Sequence, residues 1–352
     1  MLKNILVTLF IIPVIGAAIY GYFYFKQIKT PVSPVIQAIP VNAAVIVKCN
    51  NAKSMLQNFS MSNPAWKALA EYLSFGEMHR EIKKLDALFP LGSEALKNIQ
   101  DNPLFISAHP IGSSGFECLF LTNLPNTVTK KYVDAFVKNS ASKESVFNLK
   151  IYDGIALNEL KTSETSSFFY FFSRGIFACS FSQMLMEDAI RQLNSGVSIS
   201  TDLAFEKVWN AAGKKVDATI FVNYEYLSQT VDSYVNQKES QFIKPLASFA
   251  NWTSLDVKWK ATTIQLNGFT CSKDSTNNYL NIFKNQEPQE IDLVNEMPAS
   301  TAYFMCYAFS DVNLFFKNYN NYIGNLTDHF KQQETLIEFN KKYGVNAVKL
   351  PM

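Results

Sequence analysis

Ser140-Ala141-Ser142-Lys143 is the stretch whose residue types come nearest to a catalytic set. In a Ser-x-x-Lys motif a lysine one helical turn away takes the hydroxyl proton and makes the serine a nucleophile. Here the motif is short, lies in a polar helix-to-strand connection and has no companion motifs, so it reads as a solvated connection. The three histidines, His79, His109 and His329, stand far apart. None belongs to His-Glu-x-x-His or has a second ligand nearby in sequence, so no metal site is assigned. His109-Pro110 ends an apolar run and reads as a turn, while Asp328-His329 reads as a polar helix face. Gly112 and Gly115 close a hairpin and open no helix, which removes the phosphate-cradling geometry. Neither Gly-x-Ser-x-Gly nor the P-loop pattern occurs.

The five cysteines, Cys49, Cys118, Cys179, Cys271 and Cys306, are odd in number and each falls in a strand-like run. Their scatter fits neither a disulfide framework nor a zinc site; buried free thiols are expected. Carboxylates are dispersed, and no pair suits acid–base work. The site assignment is therefore empty: no catalytic residue, no cofactor-binding residue, no metal ligand and no cofactor. The expectation is a protein that is not an enzyme.

The elements behind these residues follow from hydrophobic period. The chain of 352 residues is 48% hydrophobic and 18% charged, enough for a sizeable core and against disorder. A net charge of +2 offers no field for nucleic acid. Short strands are predicted at Ala43 to Cys49, Leu104 to Ala108, Phe116 to Thr122, Val146 to Leu149 and Ile155 to Leu160. Phe168 to Ser173 and Ile176 to Phe181 flank Arg174-Gly175, and Val216 to Asn223 follows further on. Helices are expected at Ala52 to Phe59, from Pro64 to a stop at Gly76, again over Met78 to Phe89, at Asn126 to Lys138, after the cap Ser182, and at Leu203 to Ala212. Two more are expected near Tyr226 to Tyr234 and Ser240 to Phe249. Leu255, Val257 and Trp259 alternate with Asp256, Lys258 and Lys260, and Ile264 and Leu266 alternate with polar residues, so Trp259 and Leu266 are expected to face the core. Strands joined by short turns, with helices segregated onto them, give an α+β class with a mostly antiparallel sheet.

Ile5 to Phe25 carries no charge between Lys3 and Lys26 and reaches the ~20 residues needed to span ~30 Å of hydrocarbon. It reads as one N-terminal transmembrane helix. A rival reading as a cleaved signal peptide rests on Gly16-Ala17-Ala18. Against it, the run continues to Phe25, with Lys26 and Lys29 placed to snorkel. The expected organisation is an anchor over residues 1–26, an extended tether over 27–38 held open by Pro31 and Pro34, an α+β unit over 39–296, and a further unit over 297–352.

The last boundary rests on an echo. Ile39-Pro40-Val41-Asn42-Ala43-Ala44, a strand and a helix recur as Met297-Pro298-Ala299-Ser300-Thr301-Ala302, a strand at Tyr303 to Phe309 and a helix. Ser310 or Asp311 caps that helix, on which Val312, Phe316, Tyr319, Ile323, Leu326 and Phe330 form a coiled-coil-like seam. Gly324 is a point for a bend. The seam is expected to dock on the first unit or to meet a protein partner, and the second unit reads as incomplete.

The Pro40-x-x-x-Ala44 start, the hairpin Phe168-Phe169-Tyr170 through Gly175 to Ser180-Phe181-Ser182, and the Leu203-Ala204-Phe205 helix leading to Val222-Asn223-Tyr224 together carry a resemblance. The chain resembles a family of uncharacterised bacterial envelope proteins, a domain of unknown function, whose members have one amino-terminal anchor and often two related halves. The resemblance implies a single-pass membrane protein of the inner membrane with its bulk in the periplasm, and it implies no activity. The function expected is a non-enzymatic structural or interaction module. The alternative is a carrier or sensor of an apolar ligand, with Phe169, Phe171, Phe177 and Phe181 lining its groove. A hydrolase with an unrecognised site is the third.

Overall fold

In the computed structural model the described residues are 34–50, 73–88, 102–110, 115–124, 130–140, 145–161, 166–232, 243–260, 263–291 and 305–325, with isolated positions elsewhere. The expected span Ile5 to Phe25, most of the tether, the helix at Ala52 to Phe59 and the seam residues Leu326 and Phe330 lie outside them. Among the described residues no helix is long and apolar enough to cross a membrane.

The fold is α+β, built on one antiparallel sheet. Its strands are β1 (Val45–Cys49), β2 (Leu104–Pro110), β3 (Phe116–Asn123), β4 (Val146–Tyr152), β5 (Ile155–Lys161), β6 (Ser167–Ser173), β7 (Ile176–Ser180), β8 (Ala218–Asn223), β9 (Trp252–Trp259) and β10 (Ile264–Cys271). They form ten strands in the order β10-β9-β8-β1-β2-β3-β7-β6-β5-β4. Two connections show how local sequence sets the register. Asp153-Gly154 joins β4 to β5 with φ of 45° and 76°, and Arg174-Gly175 joins β6 to β7 with φ of 52° and 74°. Two successive positive φ values make the primed turn whose twist matches the strands, and glycine at the second position takes it without strain.

Helices cover both faces. α1 (Leu73–Leu88) and α2 (Lys130–Ser140) bury Ile82, Leu85, Val133, Phe136 and Val137 against Ile106, Phe120, Phe168 and Tyr170. On the other face lie α3 (Gln183–Ser195) and α4 (Leu203–Ala211). They bury Met186, Ile190, Phe205 and Val208 against Ile46, Leu119, Phe171 and Phe221. Both helices start where the sequence supplies a cap: Ser182 Oγ accepts from Leu185 N at 3.3 Å, and Asp202 Oδ1 accepts from Ala204 N at 2.8 Å. Val35–Ala38, expected in the extended tether, instead form a 3-10 turn whose Val35, Ile36 and Ala38 are buried in that core.

The centre of the sheet carries a symmetry that the proline echo did not reveal. Val41-Asn42-Ala43-Ala44-Val45-Ile46-Val47 matches Val216-Asp217-Ala218-Thr219-Ile220-Phe221-Val222 at an offset of 175 residues (221 − 46). β1 and β8 are antiparallel neighbours, and Ile46 is paired with Phe221. The offset and the register therefore share one centre, a local two-fold through that pair. Each strand is followed by a helix and a hairpin, β2–β3 on one side and β9–β10 on the other, with β8 leading through α5 (Tyr224–Asp232). A strand–helix–hairpin unit thus occurs twice within one sheet.

The carboxyl-terminal region departs from the echo. Residues 305–309, expected as the strand Tyr303 to Phe309, pair with no strand. Asp311 is the cap of α6 (Val312–Gly324), its Oδ1 accepting from Leu314 N at 3.0 Å, and the helix ends at Gly324 instead of bending there. It docks through rings: Phe315 lies 4.1 Å from Phe309 and 5.7 Å from Phe283, and Tyr322 lies 5.8 Å from Tyr279. Asn318 Nδ2 adds hydrogen bonds to the Ile282 and Lys284 carbonyls. None of its residues is fully buried.

Leu266 departs from expectation, being 49% exposed on the edge strand β10, whereas Trp259, half-buried, packs against the α1–α2 core as expected. The alternation on β9 is right, since Val257 is the buried residue and Lys258 the exposed one, but an edge has nothing beyond it to complete the cover. Phe168→Ala, at a fully buried ring, should therefore lower unfolding stability by about 3–5 kcal/mol. Trp259→Ala should lower it by only about 1–2 kcal/mol, because the residue packs on the core without being fully buried. Urea midpoints at constant m-value check this, and equal losses would show that the edge packs as tightly as the centre.

Candidate functional site

The structure places some of the chemical candidates and leaves others outside the described residues. Ser140 is the last residue of α2, and the rest of the Ser-x-x-Lys stretch lies outside the described residues, as does His329. Cys49, Cys118, Cys179 and Cys271 are buried free thiols and Cys306 is half-exposed. Burial pushes the Cys49 and Cys179 thiols upward, away from the reactive thiolate. Among the described residues no cluster of histidine, cysteine and carboxylate has metal-binding geometry. The four phenylalanines named for an apolar groove do not share one face: Phe169 and Phe171 point into the α3–α4 core, Phe177 and Phe181 into the opposite one.

Among the described residues His109 holds an arrangement that residue order does not announce. Its Nδ1 is 2.8 Å from Asn42 Oδ1 and its Nε2 is 2.9 Å from Ser107 Oγ. The Asn42 oxygen can only accept, so Nδ1 carries the hydrogen and Nε2 accepts from the Ser107 hydroxyl. That is the tautomer and order of a serine–histidine–asparagine relay. The nucleophile, however, is sealed. Ser107 is 0% exposed, between its cross-strand neighbours Ile46 and Leu119. The set therefore works as a polar staple, tying the segment before β1 to β2. No spacing rule finds it, because Asn42 is 67 residues from His109.

Next to it in register, Glu117 pairs with His109. Its carboxyl is pushed up to about 7, by burial first and by Glu81 second, with Lys84 pulling the other way. A shallow depression of about 450 Å³ runs along α2, lined by Lys130, Lys131, Asp134, Ala135 and Lys138. Lys130 is held by Asp134 at 2.7 Å, and Asp134 also accepts from Tyr170 Oη at 3.2 Å. These lysines line a solvated helix face and bring no reactive group together.

The surface that stands out is the outermost strand, β4. Among the described residues it is bonded to β5 alone, through a continuous register from Val146↔Lys161 to Tyr152↔Ile155. One of its faces is tied down by polar contacts: Asn148 Nδ2 donates to Glu159 at 2.9 Å, Lys150 Nζ to Glu187 at 2.9 Å, and Arg191 to the Tyr152 hydroxyl. The other face presents Phe147, Leu149 and Ile151, which are 36%, 63% and 65% exposed. Lys138 Nζ lies 5.7 Å over the Phe147 ring. In a two-residue hairpin the residues flanking the turn exchange both backbone hydrogen bonds, and bonded pairs then alternate. Tyr152, Lys150, Asn148 and Val146 thus bond inward to β5, leaving the N–H and C=O of Phe147, Leu149 and Ile151 directed outward. The strand offers apolar side chains and an open ladder at the same residues.

Acid should expose the sealed staple. Burial pushes His109 from 6.5 down to about 3, so it stays neutral in the fold while the unfolded chain takes up a proton. Between those values the unfolded state binds more protons, and stability falls as pH is lowered from about 6.5 towards 3, by up to about 1.4 kcal/mol per pH unit. His109→Gln should lose this part of the acid dependence, read as the difference between the two unfolding curves across that window; parallel curves would place the histidine in contact with water.

Comparison of the chain with protein-family models, with curated proteins and with solved structures finds no match.

Proposed function

We propose that the protein is a non-enzymatic interaction module, tethered to a membrane by Ile5 to Phe25, whose docking surface is the free edge of β4. The observation that carries this reading is the coincidence on β4 of exposed Phe147, Leu149 and Ile151 with outward backbone donors and acceptors. Edge strands of monomeric proteins are usually blunted by proline, bulges or inward charges, because an open ladder recruits other strands. β4 has no proline and no bulge, and its lysine is tied to Glu187 on the other face. Addition of a partner strand supplies affinity through the main chain and selectivity through alternate side chains. The α6 stripe of Val312, Phe316, Tyr319 and Ile323 supports a second contact, since Val312 is exposed and the other three are half-buried beside the docked rings. The anchor, the bacterial envelope setting and the non-cytoplasmic placement of the bulk belong to the same proposal, supported by the apolar run between Lys3 and Lys26.

Two measurements test it. In intact cells carrying the full chain, Met184→Cys on the exposed start of α3 should react with a membrane-impermeant thiol reagent; reaction only after lysis reverses the orientation. A photo-crosslinking residue at Leu149 should form adducts in the same cells, while one at Met184 should form few. Equal yields at the two positions, or none at Leu149, remove β4 as the docking surface.

A further inference from the structure

We infer that the occupant of the β4 edge is β4 of a second copy, paired antiparallel about a two-fold axis through Leu149. This rests on the reading of β4 as a docking edge and adds the partner's identity. The first reason is backbone parity. Outward N–H and C=O groups sit at Phe147, Leu149 and Ile151, so a matching strand must place outward residues opposite outward residues. A two-fold through Leu149 does so, setting Leu149 against Leu149 of the second copy and Phe147 against Ile151. All seven residues of β4 then pair.

The second reason is what the side chains meet. On the apolar face Phe147, Leu149 and Ile151 meet the same three residues of the second copy in reverse order, which doubles a strip already wet in one chain. On the polar face Lys150 stands opposite Asn148. A shift of the axis to Lys150 would set two ammonium groups directly opposite one another, which is destabilising, and would shorten the ladder. The register that pairs most residues is thus also the one that keeps like charges apart.

The opposite edge shows what an edge without this property looks like. On β10 the exposed Leu266 and Phe269 are three residues apart and lie on different faces, with Asn267 and Gly268 between them. No continuous apolar strip is available there. A strand-to-strand contact of seven residues buries less than the ~1,200–2,000 Å² of a standard stable interface. Tethering to one membrane plane, as proposed above, offsets this by raising the effective concentration of copies.

The test uses the purified full chain in detergent with Cys306→Ser as background, which leaves only the four buried native thiols. In a hydrogen-bonded antiparallel pair the Cα atoms are about 5.5 Å apart, within disulfide reach. Leu149→Cys should therefore give a covalent dimer under mild oxidation at least tenfold faster than Met184→Cys, which is equally exposed on α3. Adding Ile151→Lys, which sets a charge in the apolar strip, should slow that dimer about tenfold, with unchanged thermal melting confirming the fold. Dimer formation no faster than at Met184, or unaffected by Ile151→Lys, overturns the inference. Photo-crosslinks from Leu149 to a different protein, without the disulfide dimer, would keep the docking reading and remove the second copy. Absence of both removes both.

Discussion

The fold depends on β1 being covered on both faces. A strand in the middle of ten has a core above and a core below, so its side chains cannot alternate apolar with polar in the usual way. Val45-Ile46-Val47-Lys48-Cys49 meets that demand: Ile46 enters the α3–α4 core, while Val47 and Cys49 enter the α1–α2 core. Lys48 points the same way as Ile46 and survives half-buried because its ammonium rests 4.8 Å over the Trp209 ring. Removal of either helical layer would leave one face of β1, β2 and β3 wet, so the two cores stand or fall together. The local two-fold through Ile46 and Phe221 follows from the same demand, since two copies of one strand–helix–hairpin unit can share a buried seam only if their first strands are apolar on both sides.

That double burial also decides the fate of the polar groups on the central strands. Ser107 and His109 sit where a residue of either type would be costly without a partner. Asn42 supplies the missing acceptor, and the three become one satisfied chain of hydrogen bonds. The same logic holds for Ser180, whose hydroxyl donates to the Cys118 carbonyl at 2.7 Å and accepts from Ser182 N at 3.1 Å. Geometry alone would class Asn42–His109–Ser107 as a catalytic relay. Accessibility separates the two readings, because a nucleophile must touch a carbonyl carbon and Ser107 is fully buried, with Ile46 and Leu119 opposite it in register.

Much of this was legible from residue order because hairpins, caps and helix faces are local. Asp153-Gly154 and Arg174-Gly175 announce their turns, Ser182 its helix, and Met186, Ala189, Ile190 and Leu193 the buried face of that helix. What could not be read is the sideways order of the strands. Val146-Phe147-Asn148-Leu149-Lys150-Ile151-Tyr152 alternates as any half-buried strand does, and nothing local says that its far side has no neighbour. Leu266 was misplaced for the same reason. The match between Val41–Val47 and Val216–Val222 is obscured because a proline, Pro40, marks the first copy and not the second, while Pro298 repeats that proline where no sheet strand follows among the described residues. Residues 305–309 follow that proline without pairing into the sheet, because their rings are drawn to Phe283 and Phe315.

Among the described residues the two ends of the sheet, β10 and β4, are the strands with one neighbour. Among the same residues the central strands β1 and β8 are paired along both sides. At β10 the edge is broken by polar residues, and its two exposed apolar side chains point in opposite directions. At β4 three apolar side chains and three sets of outward backbone groups coincide on consecutive odd positions, while Lys150, the residue that would blunt the edge, is drawn to Glu187 behind the sheet. Desolvating that strip gains hydrophobic free energy only if the ladder groups beneath it find partners at the same moment, since an unbonded buried amide offsets the gain. Another strand is the element that satisfies both at once, and a helix or loop laid on β4 would satisfy only the side chains.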